Sequence, residues 1–206
     1  MQSMTRNLDR ALEEISTIRS QIARSTVFRG YGPAAVAATS ILAVAAAAAQ
    51  ATFVPTPLAH VERYVILWGG TAVVCVALVG IEMVRRTRRE RGDLATEMLW
   101  TAVEQLLPAA VAGGLVTLVL LAVAPEASWM LPGLWQVFFS LGVFASCRFL
   151  PKATFLVGAW YLLSGLACLA LARTLSPATM GIGFGTGQLL GAAILQLHRE
   201  DEEPDA

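Results

Sequence analysis

The sequence predicts an all-α polytopic membrane protein with six transmembrane helices and an amphipathic N-terminal helix. The first observation is a set of six apolar stretches, each close to the ~20 residues that a helix needs to cross the hydrocarbon core. The second is the distribution of arginine and lysine, which changes sides regularly along the chain. The third is the composition, which is 56% hydrophobic and leaves loops too short to build a second, soluble core. The predicted spans cover residues 33–53, 62–84, 106–124, 129–149, 153–173 and 177–197.

The cationic residues predict which ends of the spans face the cytoplasm. Thirteen of the fifteen lie before span 1, in or beside the connectors between spans 2 and 3 and between spans 4 and 5, or after span 6, and only Arg63 and Arg173 lie beside the other connectors. Because arginine and lysine hold loops on the cytoplasmic side during insertion, both termini are expected in the cytoplasm. Fourteen of the fifteen are arginine, a usage associated with GC-rich bacterial genomes, so we expect the inner membrane of a bacterium.

Residues 1–30 are predicted to form a cytoplasmic amphipathic helix. Apolar side chains recur there with the a/d spacing of a heptad, and charges occupy the other faces. They include Leu8, Ile15, Ile18 and Ile22. The favoured interpretation of residues 4–25 is a helix that dimerises or binds a protein partner. Packing against the protein's own cytoplasmic loops and lying along the membrane surface remain open, although the near-balanced charge argues against the surface.

Span 1 is predicted to be a retained transmembrane helix. The alanine-rich residues 45–51 resemble a small-residue cleavage site, which would fit a secretory signal. The segment before span 1 is long and includes Glu13 and Glu14, unlike the short basic region that opens such a signal. We therefore keep residues 33–53 in the six-helix membrane domain, which covers residues 31–199.

The connector between spans 2 and 3 is predicted to contain a helix. After a cluster of arginines, Gly92 and Asp93 can end one helix and cap the next, and residues 94–107 have a helical pattern. Pro108 then follows without a break before the apolar run of span 3. Since proline removes a backbone donor and crowds the preceding turn, we expect either a kinked continuous helix or an interfacial helix that bends into span 3.

Uncharged polar residues in spans 4, 5 and 6 form a candidate polar seam. No charged residue lies near a predicted midplane, where an ionisable group is costly and generally marks an ion path. The seam consists of Gln136, Ser140, Tyr161, Ser164 and Gln188. These side chains either join helices by hydrogen bonds or line a path for a solute, and the first interpretation is favoured.

Span 6 contains five closely spaced glycines that predict close helix packing. Gly183, Gly187 and Gly191 recur every four residues and share one helix face, and Gly181 and Gly185 share an adjacent face. Glycine lets two helix backbones approach closely. The alternative is a broken helix whose freed backbone groups contact an ion or a solute. A nucleotide-binding loop is excluded because no strand precedes the glycines and no lysine follows them.

No catalytic, cofactor-binding or metal-binding residues are predicted. The three cysteines lie inside spans without a CxxC spacing and are expected to be small packing residues. His60 and Glu62 have no third candidate ligand nearby in the sequence, and no hydrolase or zinc-protease motif occurs. The formal net charge of zero gives no basic excess for binding nucleic acid. The acidic cytoplasmic tail, residues 200–206, is expected to be solvated.

Two functions are consistent with the sequence, and neither is enzymatic. The first is that of a non-catalytic inner-membrane protein, a complex subunit or a regulatory or signalling partner, acting through residues 4–25. Its expected contacts are membrane lipid and either a second copy of the chain or another protein. The alternative is a small channel or facilitator for a neutral or weakly polar solute, lined by spans 4, 5 and 6.

Overall fold

The computed structural model describes residues 32–89, 93–147 and 150–202, and the regular secondary structure of these residues is helical throughout. Six α-helices follow one another and are numbered here in chain order. They are α1 (Pro33–Phe53), α2 (Val61–Arg89), α3 (Asp93–Val123), α4 (Leu131–Ser146), α5 (Phe155–Leu171) and α6 (Pro177–Glu202), with short 3-10 helices at Pro125–Met130 and Lys152–Thr154. The predicted N-terminal helix of residues 1–30 lies outside the described residues, as do residues 203–206 of the predicted tail.

All six helices are long and apolar enough to cross a membrane, which confirms that part of the prediction. The qualifying segments are Pro33–Phe53, Val61–Arg85, Glu104–Val123, Pro125–Ser146, Lys152–Leu171 and Pro177–Glu200. Each overlaps one predicted span. Lengths of this order match the thickness of the hydrocarbon core, so the chain has the features of a multi-pass membrane protein. The orientation of the helix ends stays a prediction.

Two of the helices begin where proline in the sequence predicts a helix start. Helices α1 and α6 begin at the predicted residues, Pro33 and Pro177. Proline suits the first position of a helix, since the backbone donor that it lacks would have no intrahelical partner there. Helix α6 runs on past the predicted end to Glu202. In that extension the Gln196 side chain donates to the Glu200 carboxylate, one turn later, at 2.8 Å.

Helix α3 is one continuous helix with Pro108 in its interior. The sequence left two possibilities for this region, and the structure has the continuous helix from Asp93 to Val123. Proline at this position removes the donor for the carbonyl of residue 104, one turn earlier. The helix nevertheless continues past Pro108 to Val123.

The helices are arranged so that α2 and α3 are peripheral. Helix α1 packs most extensively against α6, α4 against α5, and α3 against α4, while α1–α2 and α5–α6 contacts are smaller. Contacts between α2 and α3 themselves are few. In consequence only 11% of the residues in the apolar windows of α2 and α3 are buried, compared with 33–39% in the other four helices. Most of the surface of the apolar windows of α2 and α3 is therefore open.

A buried cluster joins four of the helices at one end of the bundle. It contains Tyr64 and Trp68 of α2, Ala46 of α1, Met180 of α6 and Leu175, and the ring of Trp135 of α4 packs against it. The Tyr64 and Trp135 rings are stacked with their centroids 5.9 Å apart. Stacked aromatic pairs stabilise a core beyond the area they bury. The cluster therefore fixes α2 to the rest of the bundle near this end.

Candidate functional site

The predicted polar seam comes together where α4, α5 and α6 meet. Gln136 of α4 is 1% exposed, and Ser140 of α4 and Tyr161 of α5 are fully buried. The Ser164 hydroxyl of α5 donates to Gln136 Oε1 at 2.6 Å. Four of the five predicted residues thus lie on the facing sides of α4 and α5, which is the arrangement that either interpretation of the seam requires.

The Gln136 amide links all three helices. Its oxygen accepts the bond from Ser164, and its nitrogen donates to the carbonyl of Thr179 in α6 at 3.2 Å. Ser140 donates instead to the carbonyl of Val137, within its own helix, at 2.6 Å. Both ends of the one amide in this junction are therefore engaged by the protein itself. A buried amide without such partners would destabilise the bundle.

Three successive carbonyls of α6 accept hydrogen bonds from side chains of other helices. Trp160 Nε1 donates to Gly183 O at 2.9 Å, and the Tyr161 hydroxyl donates to Phe184 O at 3.4 Å. From the other side, the Ser40 hydroxyl of α1 donates to Gly185 O at 2.7 Å. A carbonyl oxygen has two lone pairs, so it can accept such a bond in addition to its bond within the helix. Helix α6 is thereby held from two directions.

The two predicted glycine faces of α6 lie against different helices. A Cβ atom added at Gly183 would lie 2.6 Å from Gln136 Oε1, and one added at Gly187 would overlap the ring of Tyr161. On the adjacent face, a Cβ atom at Gly181 would lie 2.7 Å from Ala47 Cβ. Distances this short leave no room for a side chain. The missing side chains are what allow α4, α5 and α1 to reach the backbone of α6.

Two further glycines are less tightly enclosed. A Cβ atom at Gly185 would lie 3.2 Å from Val44 of α1, and one at Gly191 would meet Val36 and Val157 at 3.8 and 3.9 Å, ordinary contact distances. Helix α6 runs unbroken through all five glycines, from Pro177 to Glu202. Its backbone groups at this level are therefore part of a regular helix.

Three aromatic rings fill the space beside the seam. The centroids of Phe139 and Tyr161 are 4.7 Å apart, those of Tyr161 and Phe184 are 5.2 Å apart, and those of Phe139 and Phe184 are 5.6 Å apart. Each helix of the junction contributes one ring, and all three separations are in the range of favourable aromatic pairs. One of the three rings, that of Tyr161, belongs to the seam itself, so this aromatic cluster adjoins the seam.

Gln188, the fifth residue of the predicted seam, is placed differently from the other four. It is half-buried on α6, one helical turn beyond Phe184. Among the hydrogen bonds described above for the three helices, none involves Gln188. The structure therefore gathers the seam around Gln136 rather than around the residue that the sequence placed near the middle of span 6.

A second polar link, at the buried aromatic cluster, was not among the predicted residues. Gln50 of α1 is fully buried; its nitrogen donates to Leu175 O at 2.6 Å and its oxygen accepts from Trp68 Nε1 at 2.8 Å. The available signal was the single amide of an alanine-rich helix whose other polar residues are serine and threonine. Trp160, which reaches Gly183, was also missed because its acceptor is a backbone atom that leaves no mark in the sequence.

The glycines of α2 and α3 face open space. Among the described residues, and leaving aside the nearby backbone of the same helix, no atom lies within 4 Å of a Cβ atom built at Gly69, Gly70 or Gly80 of α2, or at Gly114 of α3. The neighbouring Gly113 of α3 differs, since its Cβ atom would contact Phe138 of α4 at 3.7 Å. These open positions lie on the two helices that the bundle covers least.

The predicted lack of a metal or catalytic centre stays a prediction. His60 Nδ1 lies 3.5 Å from a Glu62 carboxylate oxygen, and both side chains are exposed. Among the described residues no three histidine, cysteine, aspartate or glutamate side chains are grouped so that they could hold a metal ion. The predicted partner-binding residues Leu8, Ile15, Ile18 and Ile22 lie outside the described part of the chain.

Comparisons with known proteins give no relative from which a role could be transferred. No protein-family model, no curated protein and no solved structure matches the chain.

Proposed function

We propose that the chain is a non-catalytic, multi-pass protein of a bacterial inner membrane, with both termini in the cytoplasm. In this role it is a complex subunit or a regulatory partner, and residues 4–25 form the contact with a second copy or with another protein. The arginine distribution supports the orientation. The heptad spacing of the apolar residues in this segment supports the contact.

The observation that carries the proposal is the way the polar groups of the spans are engaged. At the α4–α5–α6 junction the Ser164 hydroxyl of α5 donates to the Gln136 amide of α4. The Gln136 amide and the Tyr161 hydroxyl both donate to backbone carbonyls of α6. Three aromatic rings fill the adjoining space. A solute on this route would have to displace these bonds and rings. A packed bundle that presents its outer surfaces to partners fits this arrangement better than a conducting one.

The open faces of α2 and α3 support a partner inside the membrane as well. Glycines at the surface of a membrane helix allow another helix to approach its backbone closely. Gly70 and Gly114 are such positions, and both lie on helices with little burial. A second copy or a partner subunit could use these faces while the N-terminal segment makes the cytoplasmic contact.

The test of the proposal is a pair of matched double variants in residues 4–25. Changing Ile15 and Ile18 to Asp places two charges in the predicted apolar seam, where each isoleucine would contribute ~1.5–3 kcal/mol of burial. We expect cross-linked assemblies to be lost while the membrane domain stays inserted. The control changes Ser16 and Ser20 to Asp, which adds the same charge on the outward positions, and assembly should persist.

The alternative function, a channel or facilitator lined by α4, α5 and α6, predicts the opposite outcome. Flux of a small neutral solute into vesicles would then survive the Ile15 and Ile18 changes and would be abolished by Gln188→Leu. If the Ile15/Ile18 double variant assembles fully at normal abundance and such flux is measured, the proposed function is wrong and the alternative is favoured.

A further inference from the structure

The last turn of α2 carries a cluster of arginines at the end of its apolar segment. The segment that is long and apolar enough to cross a membrane ends at Arg85, and the helix continues without a break to Arg89. Arg88 and Arg89 lie three and four positions after Arg85, so these three residues, the arginine triad, share one side of the helix. Glu82 precedes Arg86 by four positions, a spacing that favours pairing of these two, so Arg86 is not counted with the triad. In the part of the chain that the structure describes, no other helix carries three cationic residues at this spacing.

The side of α2 that carries the triad faces away from the bundle. Met83 lies roughly opposite Arg85 on the helix and is 4% exposed, whereas Arg85 is exposed. Towards the middle of α2 the triad side continues with Ile81, Ala77 and Val74, which are exposed as well. One open side of α2 is therefore apolar along this stretch and cationic at its end.

The dimensions of this side match one leaflet of a bilayer. From Val74 to Arg85 the helix rises about 16 Å at 1.5 Å per residue. Half of a hydrocarbon core of about 30 Å is about 15 Å. Arg89 lies about 6 Å further along the helix, and the head groups add roughly 5–7 Å on each side of the core. In a bilayer the apolar stretch therefore meets acyl chains, and the triad lies at the depth of the phosphates.

The chemistry of the triad selects among lipids. Arginine keeps its charge in proteins and binds phosphate oxygens through two parallel hydrogen bonds. Basic clusters directly beside a transmembrane helix attract head groups with a net negative charge. In a zwitterionic lipid an amine cancels the phosphate charge, so the attraction is weaker. The apolar stretch alone would accept any lipid, whereas the triad next to it favours an anionic one.

Two other occupants fit less well. A nucleic acid would be attracted to cations, but the formal net charge of the chain is zero and the triad lies directly at the end of a membrane segment. An acidic protein segment could pair with the arginines, but it would leave the apolar stretch from Val74 to Ile81 uncovered. A single anionic lipid matches both parts of this surface.

We propose that the arginine triad binds the phosphate of an anionic phospholipid, whose acyl chain lies along Ile81, Ala77 and Val74. The site does not depend on the orientation of the chain, because it needs only that this end of the apolar segment is at a bilayer face. It is also independent of the proposed function. Residues 4–25 do not contribute to it, and Gly70 lies about 22 Å from Arg85 along the helix, at the level of the other leaflet.

The experiment places a photoreactive benzoylphenylalanine at Ile81, in protein reconstituted into vesicles with equal amounts of phosphatidylethanolamine and phosphatidylglycerol. After irradiation, we expect the masses of the adducts to show phosphatidylglycerol severalfold in excess. The matched position is Ile66, which is 73% exposed on the same helix and about 22 Å from Ile81. There we expect the two lipids in equal yield. Equal yields at Ile81, or an adduct of doubled protein mass there, would overturn the site.

A second measurement removes the triad. In the variant with Arg85→Gln, Arg88→Gln and Arg89→Gln, the excess of phosphatidylglycerol at residue 81 should fall severalfold, and unchanged labelling at residue 66 would show that the protein is inserted. The control variant removes the same charge at exposed arginines near three other helix ends, by Arg63→Gln, Arg173→Gln and Arg199→Gln, and should keep the excess. An excess that survives removal of the triad, or that is lost equally in both variants, would contradict the proposal. If the triad variant does not insert, the comparison of Ile81 with Ile66 in the otherwise unchanged chain decides.

Discussion

Helices α6 and α2 both carry several glycines, yet the two helices use them in opposite ways. In α6 the glycines are covered, so that side chains at Gly183 or Gly187 would overlap Gln136 or Tyr161. In α2, a Cβ atom built at Gly69, Gly70 or Gly80 would meet no atom of the described residues within 4 Å, apart from the nearby backbone of α2 itself. Glycine in a membrane helix therefore marks a place where another helix can come close, but the sequence alone does not say whether that helix belongs to the same chain.

The difference originates in what surrounds each helix. Helix α6 lies between α1 and α5 and also touches α4, and all three supply donors or small residues to its surface. Helix α2 has α1 as its main neighbour and touches the rest of the bundle chiefly through Tyr64 and Trp68. The glycines of α6 are thus contacted by other helices of the same chain, whereas those of α2 are left open to a helix from outside it.

The largest expected effect concerns the covered glycines of α6. Gly187→Leu forces a side chain into the ring of Tyr161, and overpacking typically costs ~1–3 kcal/mol. We expect a clearly lower melting temperature in detergent. Gly69→Leu makes the same substitution in open space and should melt like the wild type. Equal melting of the two variants would contradict the assignment of covered and open glycines.

The next effect concerns the amide that joins three helices. Gln136→Leu keeps the volume but removes two interhelical bonds, the one from the Ser164 hydroxyl and the one to the Thr179 carbonyl, which we expect to cost about 1–2 kcal/mol. Thermal unfolding followed by circular dichroism would measure it. Gln188→Leu is the comparison, and its smaller expected effect reflects its half-buried position. A larger loss of stability from Gln188→Leu than from Gln136→Leu would show that Gln136 is not the main polar link among the three helices.

A smaller effect is expected at the other polar link. Gln50→Leu removes the acceptor of Trp68 Nε1 and the donor to Leu175 O. In a double-mutant cycle with Trp68→Phe we expect a coupling energy on the order of 0.6 kcal/mol, the usual size for hydrogen bonds between membrane helices. Purely additive effects would mean that the bond between Gln50 and Trp68 contributes nothing measurable.

The smallest effect on stability is expected at the open glycines of α2. Gly70→Leu should leave the melting temperature of the monomer unchanged, because no atom lies within 4 Å of the added carbon. If a second copy or partner uses the α2 face, the same change should weaken cross-linked assembly in vesicles. Ala167→Leu, at an exposed position of α5, is a control for added bulk on a surface outside the α2 and α3 faces. Assembly unaffected by Gly70→Leu would leave the α2 face to lipid.

Much of the fold followed from local signals in the sequence. Pro33 and Pro177 set the starts of α1 and α6, and the apolar runs set the number of long helices. The end of α6 was harder to predict. The run to Glu202 is polar, and it stays helical with the help of a side-chain bond between residues one turn apart. The 3-10 helix Pro125–Met130 was not predicted, since its six residues make only two turns and show no clear periodicity.

The contacts of the candidate site were only partly predictable, for a physical reason. Polar type and span position were enough to gather Gln136, Ser140, Tyr161 and Ser164 at one junction. The partners of Gln50 and Trp160 were not predictable, because each donates to a backbone carbonyl and every residue has one. Leu175, which accepts from Gln50, is 125 positions away in the sequence. Only the fold determines which carbonyl is near.

The three side-chain bonds to the backbone of α6 have a consequence for how this protein tolerates change. Since the acceptors are main-chain oxygens of Gly183, Phe184 and Gly185, no substitution in α6 removes them. Variation in that helix is limited by side-chain size. Variation at Trp160, Tyr161 and Ser40 is limited by the need for a donor. A saturation mutagenesis scan should show this difference. In α6 the tolerated residues should be the small ones, and at Trp160, Tyr161 and Ser40 they should be those that can donate a hydrogen bond.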